Sequence, residues 1–147
     1  MTVEEAVRAR VAGLAAVEAI VGARVYLDKT PQDPTYPLVL VYSAGDHRDQ
    51  HLRGPSGLAH SRVSVEARAH EESGIDAYQV TDLFAAIDGD GLGPNASGLF
   101  GWKGSVGSPG FEIENCGHRG SRDRFYDSDE RRVLRMTQDY WVTYRVP

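Results

Sequence analysis

The chain carries little of what chemistry usually needs. One cysteine, Cys116, among 147 residues excludes an intrachain disulfide and fits a reducing compartment. No apolar run approaches the roughly 20 residues of a membrane span. The N-terminal stretch MTVEEAVRAR opens on acidic residues rather than an apolar core, unlike a secretory leader. Lysine is scarce, since fourteen of the sixteen basic residues are arginine. Arginine suits bidentate ion pairs at interfaces, and GC-rich codon usage accounts for the bias equally well. The net charge of −5 argues against a general nucleic-acid binder, which needs a basic surplus.

The familiar catalytic patterns are missing as well. There is no H-E-x-x-H, no G-x-S-x-G and no P-loop. The stretch GDGLGPNASG contains G-x-G, but it follows a helical pattern rather than a strand and lacks the dinucleotide spacing. His47 and His51 stand four apart in a turn-rich polar segment, and Cys116 and His118 make only half of a four-ligand zinc set. Cys116 has no evident base and orienting group. Asp88, Asp90, Glu112 and Glu114 are not paired as acid and base. Arg119, Arg122 and Arg124 cluster, but Asp123 and Asp127 offset them. These residues assign no catalytic group, metal ligand or cofactor.

What is present is patterning. Thr2 and Glu5 have capping-box spacing, followed by Val3, Val7, Val11 and Leu14 at helical intervals. They predict a helix from about 3 to 20, weakened at Gly13 and closed at Gly22. RVYLD at 24–28 is a short strand. KTPQDPTYP is a proline-interrupted loop, and LVLVYSA at 38–44 reads as a central strand. From 59 to 70 the residues alternate: Ala59, Ser61, Val63, Val65, Ala67 and Ala69 on one face, and His60, Arg62, Ser64, Glu66, Arg68 and His70 on the other. Period two means a strand with one face on a core, hairpinned to 38–47.

A second helix follows, with Ser73 as N-cap candidate, Ile75, Tyr78, Leu83, Phe84 and Ile87 as its stripe, and Gly89 and Gly91 at its end. Residues 91–110 hold seven glycines yet include Leu99, Phe100 and Trp102. Such a loop either folds back on its own domain or offers its aromatics to a partner. FEIENCGHRGSRDRFYD predicts a strand with Phe111, Ile113 and Asn115 on one face. A polar turn near Asp127 and Asp129 leads to a closing strand, with Leu134, Met136, Tyr140, Val142, Tyr144 and Val146 on one face. The sum is a single α+β domain: a mostly antiparallel β-sheet with two helices packed on one face.

These residues carry a resemblance. A helix, then Arg24-Val25-Tyr26, a loop with Pro31 and Pro37, a strand, and a turn into the next strand through Gly54, Gly57, Leu58 and Arg62 resemble the start of the phage tail-completion (tail-terminator) proteins. Gln138, Asp139 and Tyr140 match the family's closing strand. The resemblance runs over 3–90 and 125–145, and the glycine-rich segment 91–110 departs from it as a longer loop or insertion.

The resemblance implies a structural virion protein, not an enzyme, with no cofactor. It implies a homo-hexameric ring on the head-proximal end of a tail tube, formed in the host cytoplasm during assembly. Such a ring stops tube polymerisation, meets tail tube protein and head–tail connector proteins, and lets DNA pass through its lumen without specific binding. It involves no membrane. Its candidate interface residues here are His60, Arg62, Glu66 and Arg68, whose opposite charges can meet a neighbour, together with Phe100 and Trp102. Two alternatives stay open: another neck or head–tail connector component, and a small-molecule-binding domain with Tyr42, Tyr78 and Tyr140 lining a pocket.

Overall fold

Thr2 begins the first helix in the way its spacing predicts. Its hydroxyl accepts from the Glu5 N–H at 3.2 Å, and the Glu5 carboxylate accepts from the Thr2 N–H. The computed structural model describes residues 2–51, 54–70, 76–91, 97–107, 110–118, 123–126 and 133–145. Helix α1 spans Val3–Ala12. Gly13 and an extended Leu14 then interrupt the helix, and α2 restarts at Ala15–Val21. The single helix predicted for this stretch is therefore two, because glycine lowers the cost of leaving the helix where Leu14 turns inward. Gly22, at φ +60°, ends α2.

The strands are β1 Val25–Leu27, β2 Leu38–His51, β3 Gly54–His70, β4 Gly104–Gly107, β5 Gly110–His118, β6 Asp123–Tyr126 and β7 Val133–Arg145, with α3 Asp76–Asp88 between β3 and β4. Six lie side by side in the order β1-β2-β3-β7-β5-β4, and β6 pairs the stretch of β7 that β5 leaves uncovered. Among the described strands, only β1–β2 is parallel. The β2–β3 hairpin forms as predicted, with Val41 opposite Val65 and His47 opposite His60. Among the described residues, no helix is long and apolar enough to cross a membrane.

The alternation of β3 places its two faces as read. Ala59, Val63, Val65, Ala67 and Ala69 join Tyr140, Val142 and Leu134 of β7 in the core, together with Val7, Val11, Val17, Leu83, Phe84 and Ile87 from the helices. Each large aliphatic or aromatic side chain so buried contributes about 1.5–3 kcal/mol. Leu38 and Leu40 are buried on the opposite face, so this part of β2 is covered on both sides, as a continuous apolar run requires. Ser73 and Ile75 lie outside the described residues.

Two expectations change. On β5, a register shift between Ile113 and Asn115 turns Asn115 outward and Cys116 inward, opposite Val142. The glycine-rich segment, where described, folds back on its own domain. Leu99 and Trp102 are buried, and Gly98 packs backbone to backbone on the end of α3.

Candidate functional site

The sheet face turned away from the helices is built by β2, β3 and β7. Register decides its members, since residues directly opposite in a ladder share a face. His60 faces Thr143, Arg62 faces Trp141, Ser64 faces Asp139 and Arg68 faces Arg135. Four of these eight come from the polar alternation legible in β3, and pairing sets the four of β7 beside them.

Asp139 organises the centre of this face. One carboxylate oxygen accepts from Arg62 Nε at 2.7 Å and from the second Arg62 nitrogen, and the other accepts from Ser64 Oγ. The Arg62 side chain remains 45% exposed. One step along β3 the situation reverses. Glu66 Oε2 accepts from Arg68 Nε and Nη2, both at 2.7 Å, and both side chains are largely buried. Burial, reinforced by the nearby Glu66 charge, raises the pKa of the Tyr42 hydroxyl. At the other end, His60 stacks on Trp141 with ring centroids 5.4 Å apart and shares a 2.9 Å hydrogen bond with Thr143 Oγ1.

The six expected interface residues thus fall into three places. His60, Arg62, Glu66 and Arg68 come together on the polar face, but the Glu66–Arg68 pair is satisfied within the chain rather than held open for a neighbour. Phe100 stands apart, 40% exposed. Trp102 belongs to the domain's own core, with the Arg10 guanidinium 5.4 Å from its ring centroid, because the turn that carries it is pinned to α3. Asp139 and Trp141, both on β7, are partners that β3 alone cannot reveal.

The tyrosines proposed for a small-molecule pocket do not converge. Tyr140 is fully buried on the core face, while Tyr42 lies on the opposite face, paired with Ser64. The Tyr78 side chain lies outside the described residues, as do those of His47, His51 and His118. Among the described residues, no three His, Cys, Asp or Glu side chains are grouped to hold a metal ion. Cys116 is enclosed, and burial pushes its thiol pKa up to about 12, so at neutral pH it is a protonated core group.

Among the described residues, this face is a polar surface stiffened by ion pairs, and Phe100 is the exposed large apolar side chain. The family model described as tail completion protein gp17 matches residues 5–144, nearly the whole chain. The chain belongs to the tail completion protein gp17 family. It is therefore a structural component of a virion tail, and assembly with other tail or head components comes with that membership. Among solved structures, a chain from the "Virion of native gene transfer agent (GTA) particle" shares the fold. It has a TM-score of 0.62 at 12% identity, over 97% of this chain and 94% of that one. No curated protein matches the sequence. The match to the tail completion family runs through β3 and β7, so the polar face lies wholly within it.

Proposed function

We propose that this tail completion protein is a tail terminator. Six copies form a ring on the head-proximal end of the tail tube, stop its growth and present the surface to which the head side is joined. The observation that carries this reading is the family match across 5–144. A chain of similar fold in a gene transfer agent virion is in keeping with it.

In the ring, the end of the polar face that Arg62 leaves exposed turns toward the lumen. Its central charges are matched in pairs, Arg62 with Asp139 and Glu66 with Arg68. Matched charges leave little net field to hold a phosphate backbone, so DNA slides past such a surface. The buried Glu66–Arg68 pair keeps the strand surface stiff, Arg62 is its exposed member, and His60 is half-buried against Trp141.

Tube protein polymerised with and without this chain tests the reading by electron microscopy. The expected result is tubes that stop growing, each with extra density at one end. Tubes that elongate unchanged, while the chain binds rings from the portal side instead, would assign it to the connector rather than the tail end.

A further inference from the structure

The sheet leaves two stretches of strand edge uncovered, on opposite sides. β1 covers β2 only from Val39 to Val41. The Asp28 N–H closes that ladder on the Val41 carbonyl at 2.9 Å, and Asp28 then turns the chain away in a left-handed conformation, φ +63°. Beyond Val41, among the described residues, β2 pairs with β3 alone. β1 itself is closed within the chain. Val25 N–H donates to Ala23 O at 2.9 Å, Val25 O accepts from Arg8 Nε at 3.1 Å, and Leu27 O accepts from Lys29 N–H at 2.7 Å. On the other side β4 is the last strand, and an open gap of about 290 Å³ lies between it and α1.

The ladders decide which backbone groups face outward. In an antiparallel sheet each residue points its N–H and C=O to one neighbour, and successive residues alternate. Val39 N–H donates to Arg24 O at 3.0 Å, so Val39 and Val41 both bond toward β1. Their partners on β3, Ala67 and Val65, therefore bond to β7. The β3–β7 register is unbroken from Leu58 to His70, so Ala59 and Ser61 bond to β7 as well. Arg48 and Asp46, opposite them on β2, are left pointing outward. The same alternation crosses β7 and β5. Glu112 bonds to Arg145 of β7, which leaves Ser105, opposite Glu112 on β4, pointing outward. Cys116 follows the same alternation, since its carbonyl turns from β7 to accept from Gly101 N–H at 2.7 Å.

An unpaired strand edge is a template for another strand. Register breaks at Ser43/Gly45 and Arg48/Gln50 flank one regularly paired run, Gly45–Arg48. Such breaks bend the strand, so the run suits only a short partner. It has the length of β4, Gly104–Gly107. Asp46 and Arg48 face outward in the first run, Ser105 and Gly107 in the second, with the same spacing. Along the sheet β2 and β4 stand four strand spacings apart, roughly 19 Å, so one chain does not join its own two edges. Two different edges on opposite sides of a chain join copies head to tail, and such a contact closes into a ring when the rotation allows.

We propose that the Gly45–Arg48 edge of one copy pairs with the β4 edge of the next, so that the sheet runs on from subunit to subunit. This rests on the ring reading above and names its subunit contact. Amide hydrogen exchange and proline substitution test it. The Asp46, Arg48 and Ser105 amides should exchange freely in the dissociated chain and at least about tenfold more slowly in the ring. The Val106 amide, bonded to β5, should be protected in both. Ser105→Pro removes an N–H that the chain itself does not use. It should keep the melting temperature and lose the ring at concentrations where the wild-type chain forms it. Val106→Pro should instead lower the melting temperature. Rings that form normally with Ser105→Pro, or outward amides that exchange as fast in the ring as outside it, overturn the contact while leaving the ring. A Ser105→Pro chain destabilised as much as Val106→Pro also overturns it, because Ser105 would then bond to β5. A wild-type chain that forms no ring, even on tube ends, removes both.

Discussion

Tyr140 on β7 donates its hydroxyl hydrogen bond to Asp88 at the end of α3, and both side chains are buried. This contact ties the centre of the sheet to the helix that supports the 97–102 turn. Tyr140→Phe keeps the ring's packing and removes one partner of a buried carboxylate, which costs about 1–3 kcal/mol. Urea unfolding should show a lowered midpoint with an unchanged slope. A loss below about 0.5 kcal/mol would mean that the contact is incidental.

The two ion pairs of the polar face should behave differently. Arg62 is 45% exposed, so Arg62→Ala should cost less than about 1 kcal/mol. Arg68→Ala strands Glu66, whose side chain is only 6% exposed, and should cost about 3–5 kcal/mol. Thermal unfolding of the two variants side by side checks this, and equal losses would contradict the assignment of one pair to the surface and the other to the interior.

Gly98 is placed where no side chain fits. A Cβ there meets the Ile87 carbonyl oxygen at 2.4 Å and the Asp88 carbonyl oxygen at 2.6 Å. Both neighbours are backbone, so Gly98→Ala must lift the turn off α3. The expected loss is about 1–3 kcal/mol, accompanied by greater solvent access to Trp102. Tryptophan fluorescence and thermal unfolding read both effects.

Cys116 should be silent to Ellman's reagent at pH 8 in the folded protein and react fully once unfolded. Its folded pKa is raised from 9.0 to about 12. Below pH 9 both states keep the proton and the thiol does not make stability depend on pH. Between about 9 and 12 only the unfolded state releases it, so this group's contribution falls as pH rises. A Cys116→Ala variant should lack that part of the alkaline slope, and rapid native labelling would show that the core around β5 is open.

The elements that local chemistry dictates were legible in the sequence. Thr2 and Glu5 announced their cap, and the alternation from Ala59 to His70 announced a two-faced strand, because both depend on near neighbours. The fate of the polar face was not legible. Whether Glu66 reaches Arg68 inside the chain or a neighbour outside depends on what covers it, and Asp139 reaches Arg62 only through the β3–β7 register. Trp102 read as a candidate partner contact because glycines surround it. The same glycines instead let the backbone press against α3 and draw the ring into the core. The break at Gly13 and the bulge at Ile113/Asn115 are single-residue choices, which periodicity averages away.

The most direct test of the account is the native mass of the assembled protein over a concentration series, with negative-stain images of the same samples. The account predicts a particle of about 97 kDa, six times the 16.1 kDa chain, with a central hole. A 16.1 kDa monomer at every concentration, with tube ends left bare when tubes are added, would contradict it.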